Sequence, residues 1–230
     1  MSDGLAGRLA TVQGRIERAG GADRVTLVAV TKGFGPDAVA AARAAGLGDL
    51  GESYAPELVD KALAAEADGP DVGADALRWH FVGRLQSNKV RRLAGIVHLW
   101  QSVDRPSVVA QLARHAPGAA VLVQVNVSGQ EQQGGCAPAD APALVAEAGG
   151  AGLDVRGLMC IGAAGGPEAA RPGFRLLRSL ADDLGLAERS MGMSGDLEVA
   201  VEEGATMVRV GAALFGARPG PRGGDTGLRH

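Results

Sequence analysis

The chain of 230 residues has few aromatic residues, few cysteines and no long apolar run. Aromatic residues make up 3% of the sequence and hydrophobic residues 46%, so a core must be built mainly from small aliphatic side chains packed between regular elements. No apolar stretch approaches the roughly 20 residues that span a bilayer, and Met1-Ser2-Asp3-Gly4 does not begin a signal peptide. We therefore expect a soluble, cytoplasmic protein with no membrane partner.

The cysteines and the overall charge exclude further classes. Cys136 and Cys160 lack the spacing of metal or redox motifs and are too few for a disulfide scaffold. The net charge of −3 gives no general attraction for nucleic acid. We interpret the short basic cluster of Lys89, Arg91 and Arg92 as a solvated helix face. Neither a metal site nor a nucleic-acid partner is expected.

Lysine is scarce, since Lys32, Lys61 and Lys89 are the only lysines among 23 basic side chains and the others are arginines. Lys32 ends the apolar run Thr26-Leu27-Val28-Ala29-Val30-Thr31, and Gly33-Phe34-Gly35-Pro36 follows at once. This pattern predicts a strand buried on both faces that stops at the lysine. Lysine can form an imine with a carbonyl and arginine cannot, so Lys32 is the first candidate for covalent chemistry. A strand-end lysine that only reaches solvent is the alternative.

Strands and helices are predicted to alternate along the chain. The predicted strands cover residues 26–32, 49–52, 77–83, 96–100, 120–127, 155–160, 189–192 and 207–210. The predicted helices cover residues 2–19, 37–45, 56–67, 88–94, 104–115, 139–148, 168–184 and 196–203, with Asp104 capping the fifth. The alternation favours an α/β fold, a single parallel (β/α)8 TIM barrel with an extra N-terminal helix over residues 1–218. A disordered tail over 219–230 would follow, and a doubly wound open sheet is the alternative fold.

Two glycine-containing loops fall where barrels often bind phosphate. Met191-Gly192-Met193-Ser194-Gly195-Asp196 follows the seventh predicted strand, and Arg209-Val210-Gly211-Ala212-Ala213-Leu214-Phe215-Gly216 leaves the eighth. In a barrel both loops share a rim with Lys32, and N–H groups at helix starts bind anions. An imine-forming lysine and a phosphate cradle on one rim suggest pyridoxal 5′-phosphate (PLP) as cofactor. Tight turns without a ligand are the alternative.

Motifs spread along the chain then resemble the pyridoxal phosphate homeostasis protein family. They are Ala29-Val30-Thr31-Lys32, Gly51-Glu52-Ser53-Tyr54, Trp79-His80-Phe81-Val82-Gly83-Arg84-Leu85-Gln86-Ser87-Asn88-Lys89, Gly157-Leu158-Met159, Met191-Gly192-Met193-Ser194-Gly195-Asp196 and Val208-Arg209-Val210-Gly211 with Phe215-Gly216. The resemblance runs from about residue 5 to Arg218 in matching order. It implies a barrel like the N-terminal domain of alanine racemase.

The resemblance also implies roles for particular residues. Lys32 would hold PLP as an internal aldimine, and Arg209 would face the pyridine nitrogen. The phosphate would be held, largely by main-chain donors, at Ser194, Gly195, Gly211 and Ala212. A guanidinium only donates hydrogen bonds, so Arg209 would disfavour protonation of the ring and leave it a weak electron sink.

Four positions depart from the family pattern. Ser53 stands where asparagine is usual, and Pro56 where glutamine is common. Phe34 and Gln133 occupy places where a lysine is often found. The last two leave the chain short of secondary lysines that accept or pass on the cofactor.

Other polar residues near strand ends are open to more than one interpretation. His80 is expected to face the core from the third strand rather than act at the rim. Glu52 and Tyr54 either touch the cofactor or begin a helix. Asn88 and Lys89 either reach the ring or begin the next helix.

The sequence therefore predicts a PLP-binding protein of intracellular PLP homeostasis that holds the cofactor with little or no turnover. We expect a monomer whose partners are PLP and apo PLP-dependent enzymes. A low-activity PLP-dependent amino-acid racemase acting through Lys32 is the alternative, although related racemases use a second base from an added C-terminal domain and this chain ends after strand eight. A class I aldolase is the third hypothesis, and no lysine–carboxylate set on the later strands supports it.

Overall fold

A computed structural model describes residues 2–67, 76–130 and 132–217, and these residues form a closed barrel of eight parallel strands in chain order. The strands are β1 (Thr26–Val30), β2 (Asp49–Glu52), β3 (Arg78–Phe81), β4 (Val97–Val103), β5 (Ala120–Gln124), β6 (Asp154–Met159), β7 (Glu188–Ser190) and β8 (Met207–Val210). Ala29 of β1 pairs with Leu50 of β2 on one side and with Val210 of β8 on the other, which closes the ring. The predicted barrel is confirmed, and the open sheet is excluded.

Helices surround the barrel. They are α1 (Ser2–Arg18), α2 (Pro36–Ala44), α3 (Ala55–Ala67), α4 (Val90–Leu93), α5 (Pro106–His115), α6 (Ala141–Gly150), α7 (Pro167–Asp183), α8 (Leu197–Glu202) and α9 (Ala212–Phe215). Two single 3-10 turns, Ser87–Lys89 and Pro138–Asp140, precede α4 and α6 in the described chain. Among the described helices, none is long and apolar enough to cross a membrane.

Buried apolar side chains form an inner and an outer layer, because alternate residues of a barrel strand face opposite sides. The inner cluster fills the barrel and consists of Val28, Leu99, Ala120, Leu122, Met159 and Met207. A larger cluster lies between the strands and the helices and includes Trp100, Phe174 and Leu58. Many contributors to it are alanine or valine, as the composition predicts.

Gly157 shows how closely neighbouring strands approach. A Cβ at this position in β6 would lie 1.9 Å from the carbonyl oxygen of Glu188 in β7. A side chain therefore cannot be placed there unless the strands move apart. The glycine allows β6 and β7 to pair, and β7 carries the loop that contains Ser194.

The N-terminal helix α1 packs against α8 and α9. Leu5, Leu9, Val12 and Ile16 are buried at helical spacing, as predicted. On its polar side Arg15 forms an ion pair with Glu198 and donates to the carbonyl oxygen of Ser194 over 3.0 Å. The extra helix thus supports the loop after β7.

The structure corrects the predicted cap of α5 and the predicted ends of two strands, and part of the chain lies outside the described residues. Asp104 does not cap α5, because Arg105 is the N-cap residue and no side chain bonds to that helix start; the Asp104 carboxylate instead pairs with the Arg105 guanidinium. The fifth strand ends at Gln124, three residues before the predicted end, and β4 continues to Val103. The predicted tail over 219–230 lies outside the described residues, as do residues 68–75 between α3 and β3.

Candidate functional site

The residues predicted to hold a cofactor line one cavity of about 500 Å³. The polar part of its wall consists of Lys32, Ser194, Gly195, Arg209, Gly211 and Ala212. The apolar part includes Val30, Phe34, Val82, Ile161 and Met193. Small-molecule sites typically enclose about 300–1,000 Å³, so the cavity has the size of a ligand site. It lies at the carboxyl ends of the strands, where barrels carry their active sites.

Lys32 lies on the turn after β1, and hydrogen bonds to side chains of α3 fix the residues on either side of it. Lys61 of α3 donates to the main-chain oxygen of Thr31 over 2.7 Å and also to the carboxylate of Glu52. The Thr31 hydroxyl donates to the same carboxylate over 2.8 Å. On the other side of Lys32, the amide of Gly33 donates to Glu57 over 2.9 Å. Both neighbours of Lys32 are therefore fixed, and this fixes the direction in which its side chain leaves the barrel.

We call Thr31, Glu52 and Lys61 the α3 cluster. The side chains of Glu52 and Lys61 are 0% and 3% exposed, so this ion pair lies in the interior. Burial raises the pKa of Glu52, and the ammonium group of Lys61 opposes that rise. Glu52 ends β2 and α3 begins only at Ala55, so the interpretation that it begins a helix was wrong. Glu52 does not belong to the wall of this cavity. Lys61 was not predicted at all, since a lysine inside a helix usually faces solvent.

The loops after β7 and β8 form an anion cradle. In the described part of the chain, the amides of Gly195 and Ala212 donate to no other protein group. The Ser194 hydroxyl beside them accepts a hydrogen bond from the amide of Ala213 over 3.3 Å. Gly211 lies close to β1, because a Cβ there would be 3.1 Å from the carbonyl oxygen of Val30. Such N–H groups at a helix start suit a phosphate group.

Arg209 is held in a fixed position at the floor of the cavity. The residue is 5% exposed, and its guanidinium donates to the Ser190 hydroxyl and to the carbonyl oxygen of Cys160, each over 2.7 Å. Burial lowers the pKa of the guanidinium from its ordinary value. The main-chain amide of Arg209 donates to Gly192, which has a φ of 93° that favours glycine. Arg209 also belongs to the wall of the cavity.

A chain of hydrogen bonds runs from Arg209 through the inside of the barrel. Ser190 donates to the oxygen of Gln101 over 2.6 Å, and the Gln101 amide nitrogen lies 2.7 Å from Nδ1 of His80. Nε2 of His80 lies 3.0 Å from the carboxylate of Asp49. Because Gln101 donates to Nδ1, Nε2 of the neutral imidazole must carry the proton that Asp49 accepts.

We call Arg209, Ser190, Gln101, His80 and Asp49 the interior chain. All of its donors point the same way, from the cationic Arg209 to the anionic Asp49. Burial raises the pKa of Asp49, but hydrogen bonds from His80 and Arg78 outweigh burial and hold that pKa well below its ordinary range. The prediction that His80 faces the core is confirmed, whereas its polar partners were not predicted.

A second cavity of about 780 Å³ adjoins the first. The two cavities share Lys32, Val82 and Ile161, so Lys32 stands at their boundary. The other polar lining residues of the second cavity are Ser53, Tyr54, Arg84, Gln86, Lys89, Arg105 and Gln124. Tyr54 is 56% exposed at its edge, whereas Asn88 lines neither cavity.

The four departures from the family pattern lie in different places. Phe34 lines the first cavity and packs on Phe215 with ring centroids 5.4 Å apart. Ser53 and Pro56 line the second cavity, and the buried Ser53 hydroxyl has no hydrogen-bond partner in the described structure. Gln133 lines neither cavity and accepts a hydrogen bond from Ser128 over 2.8 Å.

The thiols of the two cysteines are unreactive. Cys160 is fully buried, and burial raises the pKa of its thiol to about 12. Cys136 is half-buried, and burial raises the pKa of its thiol to about 11. Both thiols therefore stay protonated at neutral pH, and the interpretation of Cys160 as a core residue is confirmed.

The closed parallel barrel, with a cavity at the carboxyl ends of its strands, is of the alanine racemase type. Residues 6–219 match the family described as "Alanine racemase, N-terminal domain". Alanine racemase from Clostridium difficile superposes with a TM-score of 0.72 at 14% identity, over 95% of this chain and 58% of that one. At that identity the likeness concerns the fold alone.

The chain belongs to the pyridoxal phosphate homeostasis protein family. It is 45% identical over 228 residues to the pyridoxal phosphate homeostasis protein of Pseudomonas aeruginosa, covering 93% of this chain and 96% of that protein. The structure of PipY from Synechococcus elongatus with PLP bound superposes with a TM-score of 0.79 at 33% identity, over 92% of this chain and 100% of that one. The family resemblance found in the sequence is confirmed.

Proposed function

We propose that this protein binds PLP at Lys32 and holds it as part of intracellular PLP homeostasis. One observation carries the proposal: Lys32, Arg209 and the unused amides of Gly195 and Ala212 line a single cavity of about 500 Å³. An aldehyde, a ring nitrogen and a phosphate group need these three kinds of partner at one site. The PLP named in the PipY structure and the names of the family members support the same ligand.

The residues present fit the groups of this ligand. The phosphate would accept hydrogen bonds from the amides of Gly195, Gly211 and Ala212 and from the Ser194 hydroxyl. The guanidinium of Arg209 would donate to the ring nitrogen. Bound PLP supplies an aldehyde, which condenses with a primary amine and releases one water. Lys32 is the lysine in the cavity wall that would supply this amine.

Arg209 supports holding the ligand rather than using it. Two of its nitrogens are already committed to Ser190 and Cys160, and a guanidinium has no acceptor to offer. A donor-only partner keeps the ring nitrogen unprotonated, so the ring withdraws electrons weakly from a bound amine. We therefore propose that turnover of amino acids is slow or absent. Chiral analysis of alanine and serine incubated with the loaded protein tests this, and rapid racemisation contradicts it.

We further propose that the protein is a cytoplasmic monomer and supplies PLP to apo PLP-dependent enzymes. Residues 1–218 would form the binding domain, with 219–230 as a separate tail. Light scattering on the purified protein tests the monomer, and cell fractionation tests the compartment. Transfer is tested by the activity that an apo-enzyme regains beside the loaded protein, compared with free PLP at the same total concentration.

The central test is the visible absorption of the protein loaded with PLP. The wild-type protein should show the absorption band of a C=N bond between the cofactor aldehyde and a lysine. Lys32→Ala should lose that band, and Lys32→Arg should lose it equally, because arginine keeps the charge but cannot form the bond. Arg91→Gln offers a charge change on the exposed face of α4, outside the cavity wall, and should keep the band. A wild-type protein that gains no band from added PLP overturns the proposed function.

A further inference from the structure

Two arginines of the N-terminal helix contact the two segments that form the anion cradle. Arg8 and Arg15 lie seven residues apart on α1, which is about two helical turns, so their side chains leave the same face of the helix. The Arg15 guanidinium donates to the main-chain oxygen of Ser194 over 3.0 Å. The Arg8 guanidinium donates to the main-chain oxygen of Leu214 in α9. One helix thus holds both the loop after β7 and the short helix after β8.

The contact at Ser194 acts directly on the cradle, because the oxygen of Ser194 and the N–H of Gly195 belong to the same peptide unit. A trans peptide unit is planar, and its C=O and N–H point in opposite directions. No peptide bond of the described chain is cis. Since the oxygen is directed at Arg15, the N–H of Gly195 points away from α1, and Gly195 belongs to the wall of the first cavity. Within the described ranges this N–H donates to no protein group, so it is available to an anion.

Arg15 is itself held in one orientation. Its guanidinium donates to both carboxylate oxygens of Glu198 in α8, over 2.5 and 2.6 Å, and its third contact is the Ser194 oxygen. A guanidinium presents its donors in a rigid planar fork, so three contacts fix the direction of each. A cation that donates to a carbonyl also polarises the peptide unit, which strengthens its N–H as a donor. Arg15 therefore both aims the N–H of Gly195 and strengthens it.

We propose that Arg15, supported by Arg8, is a positioning residue that gives the site its preference for a phosphorylated ligand. The proposal rests on the proposed function, because the anion at the cradle is then the phosphate of bound PLP. Arg15 is not part of the cavity wall as the described residues form it, so it acts through the peptide unit between Ser194 and Gly195. Pyridoxal has the same ring and aldehyde without the phosphate, and it gains nothing from this arrangement.

The test compares the affinities for PLP and for pyridoxal in the full-length wild-type protein and in Arg15→Met. Both ligands carry the aldehyde that reacts with Lys32, so the absorption band of the C=N bond follows both titrations. We expect Arg15→Met to bind PLP about tenfold more weakly, which is the effect of weakening one charge-assisted hydrogen bond, and to bind pyridoxal as the wild type does. An equal loss for the two ligands would mean that Arg15 only stabilises the fold. That result, or no loss for either ligand, overturns the proposal.

A second variant separates the contact from the charge. Arg15→Met leaves the Glu198 carboxylate unpaired near the cradle, where its charge alone would repel a phosphate. Arg15→Met/Glu198→Gln removes one charge of each sign, so the net charge is unchanged, and the loss for PLP should remain because the Ser194 oxygen still lacks its donor. Wild-type affinity in this double variant would contradict the proposal. Arg18→Met is the matched control, because Arg18 is exposed on the same helix, and a selective loss for PLP there would also contradict it.

Arg8→Met tests the same idea at α9, and its outcome decides the proposal should Arg15→Met fail to fold. It should also lose affinity for PLP and keep its affinity for pyridoxal, but by less than Arg15→Met, because the Leu214 oxygen does not share a peptide unit with an amide of the cradle. If the wild type gains the C=N band with PLP and the ratio of the two affinities is the same in every variant, this inference is wrong and the proposed function stands. If the wild type gains no band with either ligand, the proposed function itself fails.

Discussion

The α3 cluster and the interior chain both place charge inside the protein, but they balance it differently. In the α3 cluster, the ammonium of Lys61 touches the carboxylate of Glu52 directly, and both side chains are buried. In the interior chain, the guanidinium of Arg209 and the carboxylate of Asp49 are separated by three neutral side chains. In the α3 cluster, the two opposite charges neutralise each other by direct contact. In the interior chain, aligned hydrogen-bond dipoles connect the two opposite charges.

This difference assigns different tasks to the two clusters. A buried ion pair that loses one partner leaves an uncompensated charge, so the α3 cluster should matter mainly for stability. In a chain of hydrogen bonds between neutral side chains, the stabilisation is distributed over several bonds. Removing one of these bonds should therefore cost less unfolding free energy than removing one partner of the buried ion pair. Because the interior chain ends on Arg209, such a break should be visible at the ligand site. Measurements of unfolding free energy and of the absorption of bound PLP therefore distinguish the role of the α3 cluster from that of the interior chain.

The largest effect is expected for Lys61→Met. The change removes the ammonium and leaves the Glu52 carboxylate buried beside the Thr31 hydroxyl. Breaking a buried ion pair in this way typically costs about 3–5 kcal/mol of unfolding free energy. Denaturant unfolding at neutral pH measures the loss. A loss below about 1 kcal/mol would show that the pair behaves as a surface salt bridge does.

Glu52→Gln/Lys61→Met is the matched control for this variant. With both charges gone, the uncompensated carboxylate disappears, and most of the lost unfolding free energy should return. The pH dependence gives a second control. Burial raises the pKa of Glu52, and without Lys61 this pKa rises further. A carboxyl group whose pKa is raised in the folded state favours folding only while protonated, so Lys61→Met should be most stable below about 4.5 and weaken as pH rises through the folded pKa.

An intermediate effect is expected for Ser190→Ala. The change leaves one N–H of Arg209 and the oxygen of Gln101 without a partner inside the barrel. Such unsatisfied buried groups cost about 1–3 kcal/mol. The freed guanidinium should also shift the absorption band of bound PLP. Ser102→Ala is the matched control, since Ser102 is buried on β4 and its hydroxyl has no partner in the described structure. Equal stability and equal spectra in the two variants would contradict a role for the interior chain.

Much of the fold followed from the sequence, because most strands contain a short apolar run and alternate with helices, although β2 and β7 are largely polar. The convergence of Lys32 with Ser194 and Arg209 also followed, since parallel strands present their carboxyl ends at one rim. Both predictions depend on the order of the strands and helices along the chain. In a closed barrel of parallel strands, that order determines where each strand and the loop after it lie.

The clusters that hold the site could not be predicted in the same way. Lys61 lies on the buried face of α3 with Leu58, Ala62 and Ala65, and only the fold shows that its ammonium group reaches Glu52. Gln101 and Ser190 lie on separate strands 89 residues apart and meet across the barrel interior. Such pairings depend on the stagger of the closed sheet, which no local pattern records.

The smallest effect is expected at the outer end of the interior chain, for Arg78→Gln. Arg78 pairs with Asp49 over 2.5 Å, but its side chain is 47% exposed. Exposed ion pairs contribute about 0.2–1 kcal/mol and weaken in salt, so the loss of unfolding free energy should be of this size and vanish in concentrated salt. Asp49 has a lowered pKa, so its contribution exists above about 3.8 and is lost as the pH falls and the carboxylate is protonated. The difference between wild type and Arg78→Gln, measured by denaturant unfolding, should therefore shrink in acid. A loss of unfolding free energy close to that of Ser190→Ala, and unchanged by salt, would contradict this. It would show that Arg78 is an integral part of the interior chain and not an exposed partner of Asp49.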